Sequence, residues 1–113
     1  MEQVDLKQIG REIFAASNNP KKLDGINTRL SGWYSFYTEE YIDLEYKEAV
    51  FHQNTKNSGD KALSDKSVTS LWKITEDGQR HTRVAQTMKT VEKLMSNLKS
   101  SIRRAEVESR NYQ

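Results

Sequence analysis

The chain has 113 residues, 35% hydrophobic and 30% charged, with a formal net charge of +2 and no cysteine. This length suits one domain, and the lack of cysteine excludes disulfides, thiolate metal sites and cysteine nucleophiles. The near balance of charge excludes a strong overall field that would draw nucleic acid to the whole surface.

The opening stretch MEQVDLKQIGREIF is too polar for the apolar core of a secretory leader. Nowhere do about 18 apolar residues run together as a membrane-spanning helix requires. The expected compartment is the cytoplasm, with no membrane partner.

In chain order, the first expected helix covers about Asp5 to Ala16, with Leu6, Ile9, Ile13 and Phe14 recurring at spacings that place them on one face. SNNP interrupts it, and Asn19 before Pro20 reads as a cap followed by proline at the first helical position. A second helix is expected from Pro20 to about Lys56. Leu23, Ile26, Leu30, Trp33, Tyr37, Leu44 and Phe51 run along it in a near-heptad rhythm. At about 1.5 Å per residue it would be roughly 50 Å long.

The stretch NTKNSGDKALSD reads as a loop, over about residues 57–64. Ser64 or Asp65 can cap a third helix over about residues 65–77, and Gly78 ends or bends it. The last helix, over about residues 79–110, is the most regular segment. Val84, Met88, Val91, Met95, Leu98, Ile102 and Ala105 alternate spacings of four and three, which makes a coiled-coil-like seam. The expected fold is therefore all-α and a single helical domain. It is a long antiparallel helical hairpin, with one or two shorter helices packed on its open side.

Most of the aromatic rings fall between Trp33 and Phe51. Trp33, Tyr34, Tyr37 and Tyr41 share the broad apolar sector of the second helix, so they are read as core. A base-stacking platform would need cations beside the rings, and the neighbours here are Glu39, Glu40, Asp43, Glu45 and Glu48. Ile42, Tyr46 and Val50, with Phe36 near them, form a second stripe, which either meets the first helix or forms an interface with another copy of the chain.

Three polar groups are candidates for chemistry. DGQRHTR, Asp77 to Arg83, places Arg80, His81 and Arg83 at an expected helix start, where backbone N–H groups favour anions; the alternative is a solvated helix junction. Lys89, Lys93, Lys99, Arg103, Arg104 and Arg110 fall away from the seam of the last helix. That stripe could track a phosphate backbone, match the acidic stretch of the second helix, or only keep the surface soluble. The acidic group could do acid–base work, hold Mg²⁺, or mimic nucleic-acid phosphates. Two histidines, His52 and His81, are too few and too far apart to argue a zinc site. No metal, no cofactor and no catalytic residue is assigned.

The segments VDLKQIGREIFAASNNPKKLDGINTRLSGWYSFYTEEY and VEKLMSNLKSSIRRAEVESRN resemble small helical proteins of phages and prophages. Those proteins carry a helix–NNP–helix arrangement near the N-terminus and an LEKLISALKS-like segment with a basic tail. The resemblance implies a gene often found near those for recombination or single-strand DNA binding, and it brings no catalytic residues.

The expected function is accessory to phage DNA recombination or replication, without enzymatic activity. Arg80, His81, Arg83, Lys89, Lys93, Arg103 and Arg104 would contact nucleic acid, phosphate or an acidic partner. Phe36, Ile42, Tyr46 and Val50 would form an oligomer interface. Two alternatives stand beside it. One is a counter-defence protein, anti-CRISPR or sponge-like, that inhibits a host nuclease or sequesters a nucleotide signal. The other is an oligomeric assembly protein.

Overall fold

A computed structural model describes residues 3–56 and 63–111, without the side chains of Ser109 and Asn111. Most of the expected loop at 57–64 and the final two residues lie outside the described part. Four helices follow in order: α1 Leu6–Ala15, α2 Pro20–Lys56, α3 Asp65–Ile74 and α4 Glu76–Asn111. The fold is all-α, built on two long helices with two shorter ones packed against them. Among the described residues no helix is long and apolar enough to cross a membrane.

The chain groups into two compact units, Met1–Ser35 with Lys89–Gln113, and Phe36–Met88. In the first unit, α1 begins at Asp5, whose carboxylate accepts the Gln8 N–H at 3.0 Å. α2 begins at Pro20 because Asn19 Oδ1 accepts the Lys22 N–H at 3.1 Å, which satisfies a donor that the helix itself cannot. Ile9 and Ala16, Leu23, Ile26 and Leu30 of α2, and Val91, Leu98 and Ala105 of α4 form one buried cluster. Each fully buried leucine or valine stabilises the unit by about 1.5–3 kcal/mol relative to exposure.

α1 uses a narrower face than its sequence suggests. Leu6 and Ile13 pack on the cluster beside Ile9, but Phe14 is 84% exposed. At about 100° per residue, Phe14 is rotated too far from Ile13 to share its contact.

In the second unit Tyr37, Leu44, Val68, Trp72 and Val84 are buried, and the Phe51 ring lies 5.5 Å from Trp72. Ser64 caps α3 by accepting the Ser67 N–H at 3.1 Å, and Lys56 pairs with Asp65 at 3.0 Å. Leu23, Leu30, Tyr37 and Leu44 on α2, and Val84, Val91, Leu98 and Ala105 on α4, are all buried at intervals of seven. Both rhythms are therefore real burial stripes. Ile42 and Tyr46 are 62% and 70% exposed, so the expectation that the stripe is covered within the chain is not met.

The boundary between the last two helices differs from the expected one. α3 stops at Ile74 and α4 starts at Glu76, because Thr75 works on both ends at once. Its hydroxyl donates to the Trp72 carbonyl at 2.6 Å and accepts the Gly78 N–H at 2.9 Å. Gly78 therefore neither ends α3 nor bends a helix; it lies buried in the first turn of α4. A Cβ there would sit 1.7 Å from the Trp72 carbonyl oxygen, so only glycine lets the two helix ends approach this closely. Gly32, by contrast, would meet nothing within 4 Å.

Gly78→Ala is expected to destabilise the protein by about 3 kcal/mol through overpacking. Gly32→Ala is expected to stabilise it by about 0.5–1 kcal/mol through helix propensity. Urea denaturation of both variants measures this, and equal effects at the two sites would refute the tight junction.

Candidate functional site

The residues expected at an anion-binding helix start are placed differently. Since α4 begins at Glu76, its first turn carries Glu76 and Asp77, which suit the positive end of the helix, and Thr75 already holds the Gly78 N–H. Arg80 and His81 come a turn later and face α2. Arg80 grips Glu40 with two nitrogens, one of the contacts at 2.8 Å, and its side chain is only 15% exposed. The Glu40 carboxylate, through this hydrogen bond above all, raises the Arg80 pKa further and keeps the guanidinium charged. Arg80 is thus part of the second unit's own ion pairing, a correction to the expectation that it offers itself to an external phosphate. Arg83 is exposed.

His81 is the centre of a small network. Trp72 Nε1 donates to His81 Nδ1 at 3.1 Å, and an indole N–H can only donate, so Nδ1 is the acceptor. The other ring nitrogen, Nε2, then carries the proton and donates to Glu45 Oε1 at 2.7 Å. The Tyr41 ring lies 5.1 Å from the imidazole. Its hydroxyl hydrogen-bonds Glu45, and this bond leads a rise in the Tyr41 pKa to which desolvation and the charges of Glu45 and Glu48 add. His81, expected from sequence to contact nucleic acid, phosphate or an acidic partner, is mostly enclosed, with its side chain 14% exposed. The sequence signal for this network was present but not decoded. Tyr41, Glu45 and Glu48 recur at helical spacings of four and three, but their partners, Trp72 and His81, lie on two other helices.

Glu45, Glu48 and His81 offer ligand atoms all within 4.8 Å of one another, a donor set of the kind that binds zinc. The hydrogen bonds oppose that use. A ring nitrogen must present a lone pair to a metal; the Nδ1 lone pair faces the Trp72 N–H, and Nε2 carries its proton. In this arrangement the group is a closed polar cluster that fixes α3 and α4 against α2.

The basic stripe on α4 has the opposite character. Lys89, Lys93, Lys99, Arg103, Arg104 and Arg110 all belong to the first unit and are exposed. At about 100° per residue they fall within a sector of about 140°, centred opposite Val91, Leu98 and Ala105. Among the described residues none of the six pairs with a carboxylate. Glu92, Glu106 and Glu108 interrupt the stripe, and Glu92 accepts the Tyr34 hydroxyl at 2.6 Å. This hydrogen bond is the main cause of a raised Tyr34 pKa, with desolvation and the Glu92 charge adding to it. Lys99, Arg103 and Arg104, with Ser96, Ser100, Val107 and the acidic Glu108, line an open depression of about 600 Å³ along α4.

The oligomer candidates also separate. Ile42 and Tyr46 are 62% and 70% exposed and Val50 37%. Phe36, 40% exposed, also turns its ring edge-on to Tyr37 at 5.3 Å. No family model, curated protein or solved structure matches the chain.

Trp72→Phe retains the ring's bulk but removes the donor to Nδ1. It is expected to cost about 1–2 kcal/mol by leaving the His81 acceptor unsatisfied, as measured by chemical denaturation. Added Zn²⁺ is expected to leave the melting temperature of the wild type unchanged. A rise of several degrees that His81→Gln abolishes would show instead that the cluster opens to a metal.

Tyr34 gives a pH signature. Its folded pKa is raised, so its contribution is intact below the ordinary phenol value of about 10 and is lost as pH rises through the folded value. Tyr34→Phe is expected to flatten part of the alkaline loss of stability, measured by urea denaturation at stepped pH. An identical alkaline slope in the variant would rule out the Tyr34–Glu92 bond as a source.

Proposed function

We propose that this chain is a non-enzymatic binding protein whose first unit engages nucleic-acid phosphates along α4, in an accessory role in phage DNA recombination or replication. The observation that carries this reading is the contrast between the two sets of basic residues. Arg80 and His81 are engaged with Glu40 and Glu45. Lys89, Lys93, Lys99, Arg103, Arg104 and Arg110 are exposed and share one sector opposite the core.

A phosphate backbone is a linear array of charge, and a straight helix face with cations over several turns matches it without reading bases. Contacts of that kind give modest, sequence-tolerant and strongly salt-dependent affinity. The resemblance to phage helical proteins supports the same reading, because it implies company with recombination genes.

Fluorescence anisotropy with labelled single-stranded and duplex DNA tests it at low and near-physiological salt. Affinity is expected to fall steeply with salt, with a log–log slope of about −5 on duplex if all six cations take part. Arg103→Ala combined with Arg104→Ala is expected to reduce that slope by about 2, while Lys73→Ala on α3 leaves it unchanged. No binding of either DNA at low salt, or a double variant that binds like the wild type, would overturn the proposal.

A further inference from the structure

The second unit leaves one apolar feature unexplained by its own core. On α2, Tyr37 and Leu44 are buried at 3% each, while Ile42 and Tyr46 are 62% and 70% exposed and Val50 is 37% exposed. At about 100° per residue, Ile42, Tyr46 and Val50 lie within a sector of about 80°, roughly opposite Leu44. The helix therefore has a complete inner stripe and a separate outer one.

Its charged neighbours narrow the choice of occupant. Glu39 and Asp43 lie within or beside the outer stripe, which disfavours nucleic acid. Asp43 and Lys47 both border the same side, exposed, and joined to each other only by an i,i+4 pair at 3.4 Å. Such a pair contributes a few tenths of a kcal/mol, so either partner is free to exchange it for another.

We infer that α2 of a second copy of this chain docks on the Ile42–Tyr46–Val50 stripe in antiparallel orientation, about a two-fold axis near Tyr46. An antiparallel two-fold places Ile42 against Val50 of the other copy and Tyr46 against its own counterpart. It also brings like-numbered flanks together with reversed direction. Asp43 of each copy then lies within about 3 Å along the axis of Lys47 of the other, on the same flank, within reach of two matched charge pairs beside the apolar stripe. In a parallel pair the two-fold places this flank of one copy on the far side from the same flank of the other, so Asp43 and Lys47 would not meet across the interface. Three apolar side chains along one helix face fall short of the roughly 800 Å² per partner of a standard interface, so the dimer is expected to be reversible and to form in the micromolar range.

Sedimentation equilibrium from low micromolar to several hundred micromolar protein is the test, with circular dichroism confirming that each variant folds. The wild type is expected to dimerise with concentration, and Tyr46→Glu to stay monomeric over the whole range. Asp43→Lys and Lys47→Glu alone are each expected to weaken the dimer several-fold. The doubly exchanged Asp43→Lys/Lys47→Glu protein is expected to recover wild-type association, which only the antiparallel register permits. A wild type that remains monomeric at the highest concentration overturns the inference, as does a Tyr46→Glu variant that still dimerises. A double exchange no better than the singles overturns the antiparallel register. DNA binding by the basic face of α4 is read separately, so either result can fail without the other.

Discussion

A helix at 3.6 residues per turn has one sector to give to a core, and the organisation of both units follows from that limit. On α4, Val84, Val91, Leu98 and Ala105 take the inner sector at intervals of seven. Charged side chains are costly to bury without partners, so they collect on the remaining surface. α2 obeys the same limit with Leu23, Leu30, Tyr37 and Leu44. The aromatic-rich stretch is thus mainly a burial stripe, with rings in place of aliphatic side chains where the second unit is built.

The two units use their charges in different ways. In the second, acids on α2 face bases on α4, and the pairs satisfy one another: Glu40 with Arg80, Glu45 with His81. Partly enclosed groups of this kind gain orientation from their hydrogen bonds and lose the capacity to meet an outside ligand. In the first, the cations of α4 point away from the seam and meet no carboxylate among the described residues. Basic residues therefore serve cohesion in one unit and remain open to an external polyanion in the other.

The α3–α4 junction determines which role Arg80 and His81 take. Thr75 closes α3 and opens α4 within a single residue, and Gly78 admits the Trp72 carbonyl at a distance that any Cβ would forbid. The start of α4 is thereby fixed at Glu76, three residues earlier than its sequence suggests. That shift carries Arg80 and His81 past the first turn and turns them toward Glu40 and Glu45. The same close approach brings the Trp72 indole within reach of the imidazole. A junction one turn later would have left both side chains at an open helix end, where anions bind.

Periodicity in the sequence determined the all-α class, the two long helices, their inner stripes, the cap at Asn19 and the outward basic face of α4. These depend on residue spacing along one helix, which a linear chain records directly. Only the tertiary structure decided what lay across from each face. It exposed Phe14, left Ile42 and Tyr46 open to solvent, tied Arg80 to Glu40, and built a histidine network from residues on three helices. Those outcomes depend on the rotation and register of one helix against another, set by side-chain volume and hydrogen bonds between residues up to 58 positions apart, and no local pattern encodes them.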